Sequence, residues 1–366
     1  MKIAFDHQIF TRQRYGGVSR YFAQLAACLK DLHEEPLIFA GFYQNEYLRN
    51  LNPTIVRGGY TRGLIKRGQN IRYVANDVRT KLTLSRWGPD ITHQTFYYAR
   101  GRTLPNIPVV LTVYDMIDEL FPALPGHVNE MSLRKREAVE QADHVICISH
   151  STADDLCRLF GTEREKVSVV HLGFEVFSES RHAPCDFERP YLLYVGQRSG
   201  YKNFHRVMEV LATAGLHKEF DLVAFGGGAF SVAEQESIVS LGLRPDRVRQ
   251  VSGDDSLLAD LYCGARALVY PSLYEGFGLP PLEAMALNCP VASSNTSSMP
   301  EVCGPAAEYF DPAKTEEMVY ALSRVLRDEQ RRFELIQQGQ QRITGFSWGK
   351  CARETRDVYT RILGRM

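Results

Sequence analysis

An excess of charge of either sign is the first thing missing from this chain, since 43 basic and 43 acidic side chains leave its 366 residues formally neutral. A dedicated nucleic-acid binder carries a basic surplus, so no nucleic acid is expected as partner and any electrostatic partner must be met by a local patch. No run reaches the roughly 18 apolar residues that span a bilayer. The opening MKIAFDHQIF places an acid where a secretory leader needs an apolar stretch. These absences lead us to expect a cytoplasmic protein, soluble or held peripherally at the inner face of a membrane. Cys28, Cys147, Cys157, Cys185, Cys263, Cys289, Cys303 and Cys351 form no Cys-x-x-Cys pair and mostly occupy apolar runs, which reads as reduced core thiols. No His, Asp, Glu and Cys share the spacing of a metal site, so no metal is expected. Fixed-period repeats and low-complexity tracts are also absent, which excludes a solenoid.

What is present is alternation. Strand-like runs at 2–5, 37–41, 108–114, 143–149 and 167–173, with weaker ones near Thr54 and Ile91, are separated by helical patterns. The second half repeats the scheme at 191–196, 220–226, 247–251, 266–270, 290–294 and 307–310. Such alternation predicts an α/β fold of parallel sheets covered by helices on both faces. One core rarely serves a chain of this length, so two domains of about 170 to 190 residues are expected. The aperiodic, polar and proline-bearing 174–190 reads as the linker between them. Helical spacing puts Val18, Tyr21, Phe22, Leu25, Cys28 and Leu29 on one face, and Trp348, Cys351, Thr355, Val358 and Ile362 on another.

The most informative segment is 275-EGFGLPPLEAMA-286, two glutamates eight positions apart around a Gly-Pro turn that opens a helix. The strand 266–270 precedes it, so the turn falls at a strand's carboxyl end, where open α/β sheets bind ligands. Pro280 or Pro281 suits the first helical position, Leu282, Met285 and Ala286 then form the buried stripe, and Glu283 falls in the first turn. A helix start holds phosphate with unpaired N–H groups and a partial positive charge, while Gly276 and Gly278 let the backbone approach. Carboxylates beside a phosphate take hydroxyl protons, which assigns Glu283 to a ribose and Glu275 to a transferred sugar. In 191-YLLYVGQRSGYKNF-204 a strand ends at Gly196 and is followed by Arg198, Lys202 and Asn203, where cations would neutralise a diphosphate. Gly226, Gly227 and Gly228 follow the next strand, yet without the full G-x-G-x-x-G spacing they are a poor dinucleotide fingerprint. His150 precedes Ser151, the expected cap of a helix, and reads as structural.

The string at 275–286 resembles the signature of family 4 glycosyltransferases, retaining enzymes of the GT-B fold. The resemblance covers essentially the whole chain and is strongest over 191–302. It implies two Rossmann-like, doubly wound domains with a cleft between them. An acceptor-binding domain over 1–175 would precede a nucleotide-sugar-binding domain over 176–345, with a helix over 346–366 returning to the first. The implied donor-binding set is Gly16, Gly17, Gly196, Arg198, Lys202, Asn203, Gly226, Glu275, Gly276, Phe277, Gly278, Leu279 and Glu283. Gly16 and Gly17, in 14-RYGGVSRYF-22, correspond to the family's double glycine, which lies against the donor phosphates. Where the family commonly ends a strand in His-Asp near the reacting sugar, this chain reads Tyr114-Asp115. The catalytic position beside Glu275 is therefore open among Asp115, Tyr114 and His93.

The segments FDHQIF, YGGVSRYF and VVLTVYDMIDELFP further resemble the O-antigen and capsule mannosyltransferase branch of that family. This implies a GDP-linked mannose or related deoxyhexose as donor, a polyisoprenyl-linked glycan as acceptor, and no metal or other cofactor. A sugar-nucleotide epimerase of the same fold and a non-catalytic sugar-nucleotide-binding subunit are the alternatives. Residues 57–86 hold eight Arg or Lys against one acid, Asp77, interleaved with apolar side chains. That composition suits an anionic bilayer or a lipid-diphosphate acceptor.

Overall fold

Short β-branched runs become buried strands, as fully covered parallel sheets require. The computed structural model describes residues 1–61, 69–97, 104–122, 129–175, 185, 187–198 and 200–364, the side chains of 69–72 excepted. It divides into Met1–Gly173 with Ser347–Met366, and Phe174–Phe346. Most of the expected linker, 176–184 and 186, lies outside the described residues.

In the first unit, strands β1 (Lys2–Phe5), β2 (Glu35–Tyr43), β3 (Val56–Tyr60), β4 (Ile91–Gln94), β5 (Val109–Val113), β6 (His144–Cys147) and β7 (Val167–Val169) form a seven-stranded sheet in the order β3-β2-β1-β4-β5-β6-β7. The second unit holds β8 (Tyr191–Val195), β9 (Asp221–Phe225), β10 (Val248–Val251), β11 (Ala267–Tyr270), β12 (Val291–Ser294) and β13 (Ala307–Phe310), ordered β10-β9-β8-β11-β12-β13. Every registered pair is parallel. Both orders grow outward from the first strand and then reverse, which creates a switch point between β1 and β4 and another between β8 and β11. The α/β class read from the alternation and the doubly wound order implied by the resemblance are the ones observed.

The helix Gly17–Asp31 buries Tyr21, Phe22, Leu25 and Leu29. Against it packs Trp348–Ile362, capped by Ser347, whose Oγ accepts the Lys350 N–H at 3.1 Å. Gly173 passes so close that a Cβ there would lie 2.3 Å from the Trp348 nitrogen. In the second unit Phe204, Val207 and Leu211 of one helix and Met318, Leu322 and Val325 of another cover Leu192, Leu222 and Val269. Each such side chain, fully buried, stabilises by about 1.5–3 kcal/mol.

One local expectation is corrected. The helix His150–Phe160 is capped by Ser149 rather than Ser151, because Ser149 Oγ accepts the Thr152 N–H at 3.1 Å. The weaker strand expected near Thr54 is β3, which begins at Val56 after a 3-10 turn, Pro53–Ile55. There Asn52 accepts the Thr54 N–H at 3.0 Å and so competes with sheet pairing.

The helix Gln69–Trp87 turns Asn76, Thr80 and Leu84 inward. Asn76 accepts the Phe42 N–H at 2.8 Å and donates to the Phe42 carbonyl at 3.1 Å and to Thr11 Oγ1 at 3.0 Å. The Asn76 amide fills the space a Cβ on Gly41 would need, and Gly41 takes φ of 60°. Val74, Val78 and Leu82, at successive i, i+4 positions, are left exposed at 62%, 53% and 57%.

Candidate functional site at the carboxyl ends of β8 and β11

Beyond β8 the backbone turns at Gly196, with φ of 136°, and reaches a 3-10 turn, Gly200–Lys202. Asn203 follows in the left-handed region at φ of 58° and caps the helix Phe204–Thr213. Its Nδ2 donates to the carbonyls of Pro271 and Pro312, both at 3.2 Å, which ties this turn to the end of β11. A second tie is the Leu273 N–H, which donates to the Tyr201 carbonyl at 2.7 Å.

The loop from β11 then runs through Glu275, Gly276 and Phe277 to the helix Leu279–Ala286. Gly278 is required here by both conformation and space. Its φ is 97°, and a Cβ would lie 2.3 Å from Met299 Cε. Ser297 Oγ accepts the Glu275 N–H at 2.9 Å, and Ser298 Oγ lies within hydrogen-bond distance of the Glu275 and Phe277 carbonyls. The buried Phe277 ring meets Phe346 edge-on at 5.7 Å.

These two loops bring Lys202 and Glu275 together. Lys202 Nζ donates to Glu275 Oε1 at 2.7 Å, with side chains only 16% and 9% exposed. The ammonium also lies 5.2 Å from the Tyr201 ring and 5.8 Å from the Tyr270 ring. Burial, and after it the Glu275 carboxylate, push the Tyr270 hydroxyl well above its ordinary pKa. Sequence reasoning missed Tyr270, Ser297 and Ser298. Their placement at the ends of β11 and β12 was the available signal.

Glu283 is corrected in position. The helix starts at Leu279 with Pro280 second, so Glu283 is its fifth residue and lies past the first turn. It accepts a hydrogen bond from the Tyr262 hydroxyl at 3.2 Å.

Arg198 also departs from an open phosphate-binding loop. Its Nε donates to Glu234 Oε1 at 2.7 Å, Nη1 to the Gly226 carbonyl at 2.7 Å, and Nη2 to the Ala229 carbonyl at 3.1 Å, with the side chain 4% exposed. Burial opposes the Glu234 charge, yet the hydrogen bonds from Arg198 and Ser231 hold its pKa below the ordinary value. Gly226, Gly227 and Gly228 all have positive φ, and a Cβ on Gly227 would lie 2.6 Å from Arg198 Nη1. In the described structure Arg198 thus braces the turn after β9.

In the first unit Gly16 caps the helix Gly17–Asp31, and Ser19 donates its N–H to Gln13 Oε1 at 3.2 Å. His93 sits in the core with no exposed surface, its Nδ1 2.6 Å from the Tyr359 hydroxyl and its Nε2 2.8 Å from Thr112 Oγ1. Burial lowers its pKa to about 3. Both ring nitrogens are committed to protein hydroxyls, so His93 joins β4, β5 and the last helix rather than reaching substrate.

Tyr114 packs edge-on to Tyr21 at 5.9 Å, and its buried hydroxyl has no hydrogen-bond partner among the described residues. Asp115 accepts the Ile117 N–H at 3.1 Å. Burial raises its pKa, opposed by Lys135 at 3.9 Å. Lys135, itself buried, also pairs with Glu119 at 2.7 Å and Asp118 at 3.8 Å. No sequence signal marked it, because its partners lie on a separate segment.

Known proteins carry the same architecture. Residues 15–176 match the model described as Glycosyltransferase Family 4, and residues 179–342 match that of Glycosyl transferases group 1. O-antigen chain mannosyltransferase B of Escherichia coli is 28% identical over 244 residues, covering 63% of this chain and 64% of that protein. Serotype-specific mannosyltransferase WbdA, also of Escherichia coli, is 38% identical over 332 residues, 80% of this chain and 40% of the relative. The chain thus aligns with less than two thirds of either relative's length. Sucrose-phosphate synthase from Thermosynechococcus elongatus superposes with a TM-score of 0.74 at 20% identity, over 100% of this chain and 99% of that one.

Proposed function

Because the chain belongs to the family 4 glycosyltransferases of the GT-B fold, we propose that it transfers a hexose, mannose or a related deoxyhexose, from a nucleoside-diphosphate donor to a glycan acceptor. The observation that carries the reading is the Lys202–Glu275 pair at the β8/β11 switch point, beside a helix that starts at a glycine. An ammonium in that place meets the diphosphate as a point charge, and its carboxylate partner is then available to hydroxyls of the sugar. Glu283, on the second turn of the same helix, is the ribose ligand in this reading.

The transfer proceeds with retention, through an oxocarbenium-like state in which the departing diphosphate helps to deprotonate the acceptor. Stabilising that leaving group is the main electrostatic task of the protein. The reading calls for no metal and no cofactor beyond the donor. Tyr114 and Asp115 are the first unit's candidates for a place near the anomeric carbon. The mannosyltransferase names of the relatives favour mannose as the transferred sugar; GDP-mannose is the donor and a polyisoprenyl-linked surface glycan the acceptor in this reading.

Among the described residues no helix is long and apolar enough to cross a membrane. The helix Gln69–Trp87 supports peripheral attachment at the inner face instead. Its outer stripe of Val74, Val78 and Leu82 lies among Arg79, Lys81 and Arg86, and Arg79 stands over the exposed Phe42 ring at 5.5 Å. Apolar wedges flanked by cations suit an anionic interface. Arg62, Lys66 and Arg67 of the same basic segment lie outside the described residues.

A thermal-shift screen of GDP-, UDP-, dTDP- and ADP-sugars tests the donor, since a ligand that binds only the native state raises the midpoint. GDP-mannose is expected to give the largest rise. No rise with any of the four would contradict the reading.

A further inference from the structure

A cavity of about 380 Å³ opens at the amino-terminal edge of the second unit's sheet, opposite the ends that hold Lys202 and Glu275. Its floor is apolar, built from Leu211, Phe220, Leu222 and Val248; beside His217, its polar lining is Arg189, Lys218, Arg244 and Arg247, with no carboxylate among the lining residues.

The charge here is incompletely answered. Buried Asp221 lies 3.2 Å from Arg189, 3.5 Å from Arg247 and 3.6 Å from Arg249, so three guanidiniums share one carboxylate. The Nε atoms of Arg189 and Arg247 are buried without a hydrogen-bond partner, as is Asp221 Oδ2, although Asp246 approaches Arg247 Nε at 3.7 Å and Arg189 Nη2 donates to the Lys218 carbonyl at 2.6 Å. Arg244 is held by the exposed Asp246 at 2.8 Å. Buried donors without acceptors are costly, and guanidinium forks match the oxygens of a phosphate.

We propose that this cavity binds a small soluble organic phosphate monoester, its phosphate among Arg189, Arg244 and Arg247 and its apolar body on the Leu222 and Val248 floor. The volume lies within the usual range for small-molecule sites, roughly 300–1,000 Å³. Nothing in this inference depends on the transfer reaction.

Phenyl phosphate titrated calorimetrically into the full chain is the test, because it carries the monoester and an apolar ring but no nucleoside. Wild type should bind saturably, and Arg247→Gln should weaken binding about tenfold or more, the loss of one charge-assisted hydrogen bond. Arg247 also supports Asp221, so Arg244→Gln is the second variant. It leaves every Asp221 pair in place and should weaken binding in the same sense. Lys202→Ala should leave the affinity unchanged, which separates this cavity from the carboxyl-end site. The proposal is overturned if wild type does not bind, if both arginine variants bind as wild type, or if Lys202→Ala alone abolishes binding. Binding to phosphatidic acid vesicles without binding of phenyl phosphate would overturn it in favour of a lipid headgroup.

Discussion

Lys202 Nζ and Glu275 Oε1 meet at 2.7 Å although they belong to different loops, because β8 and β11 are neighbours in the sheet. Each half of the pair is nearly buried, so neither tolerates loss of the other. Lys202→Met and Glu275→Gln should each destabilise, and the double variant should recover part of the loss, a coupling of about 0.5–3 kcal/mol. A thermodynamic cycle by chemical denaturation measures it. Additive effects would show that the pair is not an energetic unit.

Turnover should separate the two glutamates. Glu275→Ala is expected to lower kcat by at least about tenfold, or roughly 1.4 kcal/mol of barrier. Glu283→Ala should mainly weaken donor binding. Steady-state kinetics with varied donor checks this, and matching profiles for the two variants would reject the division of roles.

Arg198→Ala is expected to cost stability as well as activity. Its guanidinium makes hydrogen bonds to Glu234, Gly226 and Ala229, and breaking a largely buried pair costs about 3–5 kcal/mol. An unchanged unfolding midpoint would mean that the turn after β9 stands without it.

The strands were legible because parallel sheets demand short apolar runs, and so were the loops after β8 and β11 that hold Lys202 and Glu275. The pairing of Lys202 with Glu275 was not, since it depends on which strands lie side by side. Arg198 read as a cation for the donor diphosphate because its partner Glu234 lies 36 residues on, in a separate helix start. His93 read as a candidate for the same reason, as Tyr359 is 266 residues distant. Glu283 was misplaced by part of a turn because either proline of Leu-Pro-Pro suits a first helical position, whereas the helix begins at Leu279.

His93 gives the first unit an acid sensitivity. Its folded pKa is lowered to about 3 from an ordinary 6.5, so between those values the unfolded chain binds the extra proton and stability falls as pH drops. Moving from pH 6.5 to pH 5 should remove about 2 kcal/mol through this group. His93→Gln starts from a lower stability at neutral pH but should show a shallower decline. Buried His144, lowered to about 4, acts in the same sense and remains in the variant. Equal slopes in urea titrations of wild type and variant would refute the assignment.

Membrane attachment should combine charge with apolar contact. Screening falls from roughly 10 Å at 0.1 M salt to about 3 Å at 1 M, so co-sedimentation with anionic vesicles should decrease steeply with salt. Replacing Val74, Val78 and Leu82 by Ser should weaken vesicle binding with little effect on folding, because all three are exposed. Vesicle binding unchanged in that variant would remove the helix from the interface.

The central claim is retaining hexosyl transfer at a site built around Glu275. Proton NMR of the product formed from GDP-α-mannose and a soluble glycan acceptor reads the new anomeric configuration directly. The account predicts an α-linked mannoside from wild type and at least about tenfold slower formation by Glu275→Gln. A β-linked product, or wild-type rates from the Glu275→Gln variant, would contradict it.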